Sequence, residues 1–106
     1  MQRYDPDELT QKQIYDLAAR RVSVEVQGFK GKEWHKKVKK YAVFVISKNT
    51  SDFPGKFAVR LFDLNRPTCL VAVKNTLEEA RESIPIGYKC FKRSKKDDPV
   101  IVETWM

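Results

Sequence analysis

The sequence predicts an α+β domain: one twisted, mainly antiparallel sheet of about six strands with two helices on one face. Three observations predict it. Several short segments alternate apolar and polar residues, the period of a half-buried strand. Two segments carry helix-capping signals ahead of apolar stripes. The connections are short, which favours antiparallel neighbours. At 106 residues the chain is read as a single domain, 1–106.

The first helix is expected from Asp5-Pro6-Asp7-Glu8, with an N-cap acid, Pro at the first helical position and Glu three residues after the cap. Leu9, Ile14, Leu17 and Ala18 supply its apolar face, and Arg20 and Arg21 its last turn. Val22 to Gln27 alternates strictly and predicts a strand. Tyr41 to Ile46 is apolar throughout and predicts a central strand covered on both faces. A loop over residues 49–55 then leads to a strand over Lys56–Leu64, making a hairpin. Asn65-Arg66-Pro67-Thr68 predicts a turn, and Leu70–Val73 a fourth strand. Thr76 and Glu79 match a capping box, so a second helix starts there and ends before Pro85, burying Leu77, Ala80 and Ile84. Tyr88–Arg93 and Val100–Trp105 close the pattern as a hairpin. Phe44, Phe57, Phe62 and Phe91 are assigned to the core, and Trp105 to its edge.

The charge is unevenly placed. Residues 28–60 hold nine Lys or Arg against two acids, equal to the whole chain's net charge of +7. A local basic field attracts phosphate or an acidic protein surface. The densest part is a lysine-rich segment at 28–48, where Lys30, Lys32, Lys36, Lys37, Lys39, Lys40 and Lys48 interleave with Phe29, Trp34, His35 and Tyr41. Cations beside aromatic rings can hold a phosphate backbone and stack a base. Lysines on both faces of this stretch would be hard to bury, so it is expected to project from the core. A second cluster, Lys89, Lys92, Arg93, Lys95 and Lys96, lies on the last hairpin. The candidate nucleic-acid-binding residues are therefore Lys30, Lys32, Trp34, Lys36, Lys37, Lys39, Lys40, Lys92, Arg93, Lys95 and Lys96, with Trp34 as the stacking ring. The competing reading of the same lysines is solubilising charge and edge-strand protection.

Catalytic and metal chemistry find little support. The single histidine, His35, sits among lysines that depress its basicity, and Ser47, Ser51, Ser83 and Ser94 fall at turns, strand ends or an exposed helix end. Asp97-Asp98 is an adjacent acid pair in a turn, but Lys95 and Lys96 neutralise it. No phosphate-cradling glycine motif is present. No cofactor or catalytic residue is assigned, and the chain is read as a non-enzyme. Cys69 and Cys90 are read as reduced, partly buried thiols, and with no secretory signal in view the expected location is cytoplasmic. No apolar run is long enough to span a membrane.

Residues 56–106 carry a resemblance. Phe57-Ala58-Val59-Arg60-Leu61-Phe62-Asp63, Asn75-Thr76-Leu77-Glu78-Glu79-Ala80-Arg81 and above all Asp97-Asp98-Pro99-Val100-Ile101-Val102-Glu103-Thr104-Trp105 resemble small uncharacterised proteins of bacteria and their phages. The resemblance implies a small bacterial, phage or mobile-element protein and carries over no functional residue. The expected function is a non-enzymatic basic binding protein that engages nucleic acid or a nucleic-acid-bound complex. One alternative is an inhibitor or adaptor of the anti-defence type, meeting an acidic protein surface through the sheet edge or the acidic helix at 77–83. Another is a binder of a small anionic nucleotide.

Overall fold

The computed structural model describes residues 5–30, 37–92 and 100–106. Two helices, α1 (Gln11–Ala19) and α2 (Leu77–Glu82), accompany six strands: β1 (Val24–Val26), β2 (Ala42–Lys48), β3 (Phe57–Asp63), β4 (Arg66–Lys74), β5 (Cys90–Lys92) and β6 (Ile101–Trp105). The strands form one sheet in the order β1-β4-β3-β2-β6-β5. Every pairing is antiparallel except β1 with β4, which run parallel. The expected α+β class, strand number and helix number all hold. No helix among the described residues is long and apolar enough to cross a membrane.

The N-terminal helix departs from expectation. Asp5 does cap a turn, but a 3-10 turn of three residues, Pro6–Glu8. The chain then extends at Leu9, and α1 restarts behind Thr10, whose Oγ1 accepts from the Gln13 N–H while Gln13 Oε1 accepts from the Thr10 N–H. This second, reciprocal cap satisfies two donors that a continuous helix would leave to ordinary intrahelical bonds. The break lets Leu9 turn inward and become buried.

Alternation along the strands divides the sheet into two faces. Phe44 and Ile46 of β2, Val59 and Leu61 of β3, Leu70 and Ala72 of β4, and Val24 and Val26 of β1 point to the helical side and form the core with Ile14, Leu17, Ala80 and Ile84. Phe44 is fully buried, with Phe29 tilted at 4.9 Å between ring centroids and Tyr88 edge-on at 5.0 Å. Residues 29 and 37–41 are docked rather than projecting. Phe29 is fully buried, and Val38 packs against the core.

The opposite face has no helix over it. Register aligns Glu25, Val71, Arg60, Val45, Thr104 and Phe91 in one row across all six strands. The β3–β4 half of this face is covered by Arg60, which pairs with Asp52 at 3.0 Å, donates to Ser23 Oγ and lies over the Phe53 ring. The β2–β6–β5 half lacks such a cover and becomes exposed towards β5, whose three residues are all exposed. β2 itself is largely buried on both faces, as expected: on this side Val43 and Ser47 are buried and Val45 is partly so. Phe62 and Phe91, assigned to the core, lie on the face away from the helices instead; Phe62 is partly buried there and Phe91 is 49% exposed. Their strand period was read correctly, but nothing in a local pattern says which face the helices cover.

The β3–β4 turn is Leu64-Asn65, one step earlier than expected, with Leu64 at φ 53°. Pro67 falls inside β4, opposite Phe62 and beside an irregularity in the β3–β4 register. An irregular ladder tolerates the missing N–H of a proline there. Cys69 and Cys90 are both free, as expected, but Cys90 is exposed rather than partly buried. Burial pushes the Cys69 thiol up to about 11, which keeps it protonated and unreactive.

Candidate functional site

One end of the sheet gathers the start of β2, the end of β3 and the start of β4, with the 37–41 segment laid across it. Its organising group is the buried carboxylate of Asp63. Asp63 Oδ1 accepts from the N–H groups of Lys40 and Tyr41 at 3.1 and 3.0 Å. Oδ2 accepts from the Lys39 N–H at 3.1 Å and from the Tyr15 hydroxyl at 2.7 Å. Burial alone would raise the Asp63 pKa. The Tyr41 N–H, the Tyr15 hydroxyl and the Lys40 and Lys39 N–H groups outweigh it and hold the carboxyl below its usual range. The Tyr15 hydroxyl is pushed upward, by burial first and then by its bond to Asp63.

This clamp fixes three consecutive backbone amides and so sets the positions of two cationic side chains. Lys39 Nζ lies 5.5 Å from the Tyr15 ring centroid, and the Arg66 guanidinium 4.3 Å from the same ring. Lys39, Lys40, Tyr41 and Arg66 are all exposed. Beside them, Lys40, Tyr41, Gly87, Tyr88 and Met106 border a hollow of about 280 Å³. Gly87 turns the chain here at φ 105°, a conformation that other residues rarely adopt. That turn brings Tyr88 back onto Phe44. Lys89 follows, its backbone exchanging two hydrogen bonds with Met106. The result is a cationic end with one ring, Tyr41, half exposed within it.

The candidate lysines divide between several places. Lys39 and Lys40 belong to this end. Lys37 neighbours it but is engaged internally: its Nζ donates to the carbonyls of Leu9 at 2.8 Å and Pro6 at 3.3 Å, tying the segment to the turn before α1. Lys30 lies at the opposite end of the sheet, in a hollow of about 410 Å³ with Lys74, Glu79 and Glu82. Lys92 is on the edge strand β5. Lys32, Trp34, Lys36, Arg93, Lys95 and Lys96 lie outside the described residues, as do His35, Asp97 and Asp98. The Tyr15–Asp63–Arg66 arrangement was missed. An acid at the end of a strand is a common sight, and only the tertiary fold brings Lys39, 24 positions away, onto it.

A second buried carboxylate, Glu103 on β6, receives Arg81 Nε at 2.9 Å and Arg81 Nη2 at 2.5 Å, and Trp105 Nε1 at 3.2 Å. The Arg81 bonds hold its carboxyl below the usual range, against the opposing effect of burial. It bonds α2 to the sheet and is structural. Both depressed carboxyls set the acid response. An unfolded carboxyl titrates at about 4. The stability these two contribute is therefore fully present above that value and is lost as pH falls through their lower folded values. Urea midpoints should be flat from neutral pH to about 5 and drop below about 4. The Glu103→Gln variant should show a shallower drop, and an equal drop would remove Glu103 from the account.

Among the described residues no group of three or more His, Cys, Asp or Glu side chains is placed to hold a metal ion. No family model matches the chain, and neither a curated protein nor a solved structure is similar to it.

Proposed function

We propose that the chain is a non-enzymatic basic binding protein that engages nucleic acid, or a nucleic-acid-bound complex, through the sheet end built on Asp63. The observation that carries this reading is the exposed set of Lys39 and Arg66 flanking the Tyr15 ring and Lys40 beside the half-exposed Tyr41, with the 39–41 backbone fixed on Asp63. Fixed cations lose little freedom on meeting phosphates, and an exposed ring offers a face to a base. Tyr41 takes the stacking part first assigned to Trp34. Asp63 keeps its negative charge, but it is buried and turned to four internal donors, and the exposed Lys39, Lys40 and Arg66 outnumber it. The two unpaired cysteines fit a reducing compartment such as the cytoplasm.

The test is fluorescence anisotropy of a labelled single-stranded oligonucleotide across a salt series. Wild-type affinity should fall linearly with salt on logarithmic axes. The triple variant Lys39→Glu, Lys40→Glu, Arg66→Glu should bind far more weakly and reduce the salt slope by about three, one for each lost phosphate contact. Circular dichroism should show an unchanged fold, since all three side chains are exposed. Salt-insensitive binding, or none, would sink the proposal.

A further inference from the structure

We infer that β5 and the open sheet face beside it form a second interaction surface, which takes an extended, acidic segment of a partner protein as a seventh strand. The inference goes beyond the nucleic-acid reading; it shares Lys89 and Met106 with that sheet end but not Lys39, Lys40, Tyr41 or Arg66.

It starts from the ladder. Lys89 and Met106 exchange both backbone hydrogen bonds, at 2.9 and 3.0 Å. In an antiparallel pair such bonded positions alternate with unbonded ones. Phe91 opposite Thr104 is therefore the next bonded pair, while Cys90 and Lys92 turn their N–H and C=O groups away from β6. Among the described residues no strand pairs with that outer side. All three residues of β5 are exposed. Here is an edge with two adjacent sets of donors and acceptors, the template that strand addition uses.

Phe91 gives the edge a side-chain partner. It stands on the open face beside a hollow of about 460 Å³ whose apolar walls include Val43, Val45, Phe62 and Ile101. A seventh strand would set an apolar side chain next to Phe91 and extend the row that runs from Arg60 through Val45 and Thr104. Charge chooses the occupant. Lys92 borders the hollow, no acid among the described residues does, and Lys89 lies two residues before Phe91 along the chain. A second copy of the chain pairing through its own β5 would bring these lysines together, at a net charge of +7 each. An acidic segment with apolar residues at every second position meets both requirements.

The probe is a short capped peptide alternating Glu and Val, titrated into uniformly nitrogen-15-labelled protein. Amide shifts should appear on β5 and β6 and around Val43 and Val45. The Cys90 and Lys92 amides should gain protection from solvent exchange, while the Phe91 amide, already bonded to β6, should not. The Phe91→Asp variant should lose the response. Phe91→Ala should weaken it while leaving the spectrum of the free protein otherwise intact, because Phe91 is half exposed. Absence of shifts at millimolar peptide, shifts confined to other elements, or equal binding by a Lys and Val peptide would each overturn the inference. So would a dimer, seen by sedimentation, that protects the same amides without peptide. Oligonucleotide affinity should be unchanged in Phe91→Asp, so loss of one surface is distinguishable from loss of the other.

Discussion

Asp63→Ala should cost about 3 kcal/mol or more of folding stability, a large effect for one surface-loop anchor. The carboxylate accepts four hydrogen bonds from Tyr15, Lys39, Lys40 and Tyr41; alanine would leave the Tyr15 hydroxyl and the Lys40 and Tyr41 N–H groups without this acceptor at a site closed to most solvent, while the Lys39 N–H would keep only its bond to the Tyr15 oxygen. Unpaired donors carry their desolvation cost in full, which is why removing one side of such a cluster exceeds the worth of any single bond. Asp63→Asn should fall between the two, since one oxygen survives and the amide nitrogen faces donors. Urea denaturation followed by circular dichroism measures both. A loss below about 1 kcal/mol for alanine, no more than one ordinary hydrogen bond, would mean that the clamp is not what holds the segment. Oligonucleotide affinity should fall in the same variants although no cation is removed, because Lys39 and Lys40 lose their fixed backbone.

Phe44→Ala should cost about 3–5 kcal/mol, the range for deleting a buried aromatic ring. Phe44 is fully buried in β2, between β3 and β6, and touches Phe29 from the incoming basic segment and Tyr88 from the chain before β5. Its removal opens a cavity that three separate elements would have to move to fill. Small domains have about 5–15 kcal/mol in total, so this variant should melt far below the wild type or fail to fold. Differential scanning calorimetry gives the answer. A melting temperature within a few degrees of wild type would show that Phe29 and Tyr88 close the gap by themselves. Phe44→Leu should recover most of the loss, since it restores volume without the ring contacts.

Much of the fold was legible because its signals are local. The period of two in residues 57–63, the capping pair Thr76 and Glu79, and the stop before Pro85 all concern neighbours in sequence. Expectation failed where partners are distant. The parallel pairing of Val24–Val26 with Leu70–Ala72 joins segments more than 40 residues apart, and no local pattern carries such a strand order. The break at Leu9 was hidden because two capping signals, at Asp5 and at Thr10, follow one another and only the first was read. The candidate site was half legible. Clustered lysines pointed to the right stretch, but charge alone could not say that Lys37 is spent on backbone carbonyls or that Lys30 lies at the other end of the sheet. Arg66 carried no signal of its own, being one basic residue in a turn-like sequence; the fold sets it over Tyr15.

The strand order also fixes how the sheet comes apart. β2, β3 and β4 follow one another in sequence and pair as a meander, so they form from contacts close along the chain. β6 joins that meander only through β2, where Phe44 faces Trp105 across 61 positions of sequence, and β5 is attached through β6 alone. Opening is therefore nested: β6 cannot leave without taking β5 along, whereas β5 can peel away by itself. A strand added to β5 would grip the outermost leaf of this hierarchy, and the last joined would be the first released.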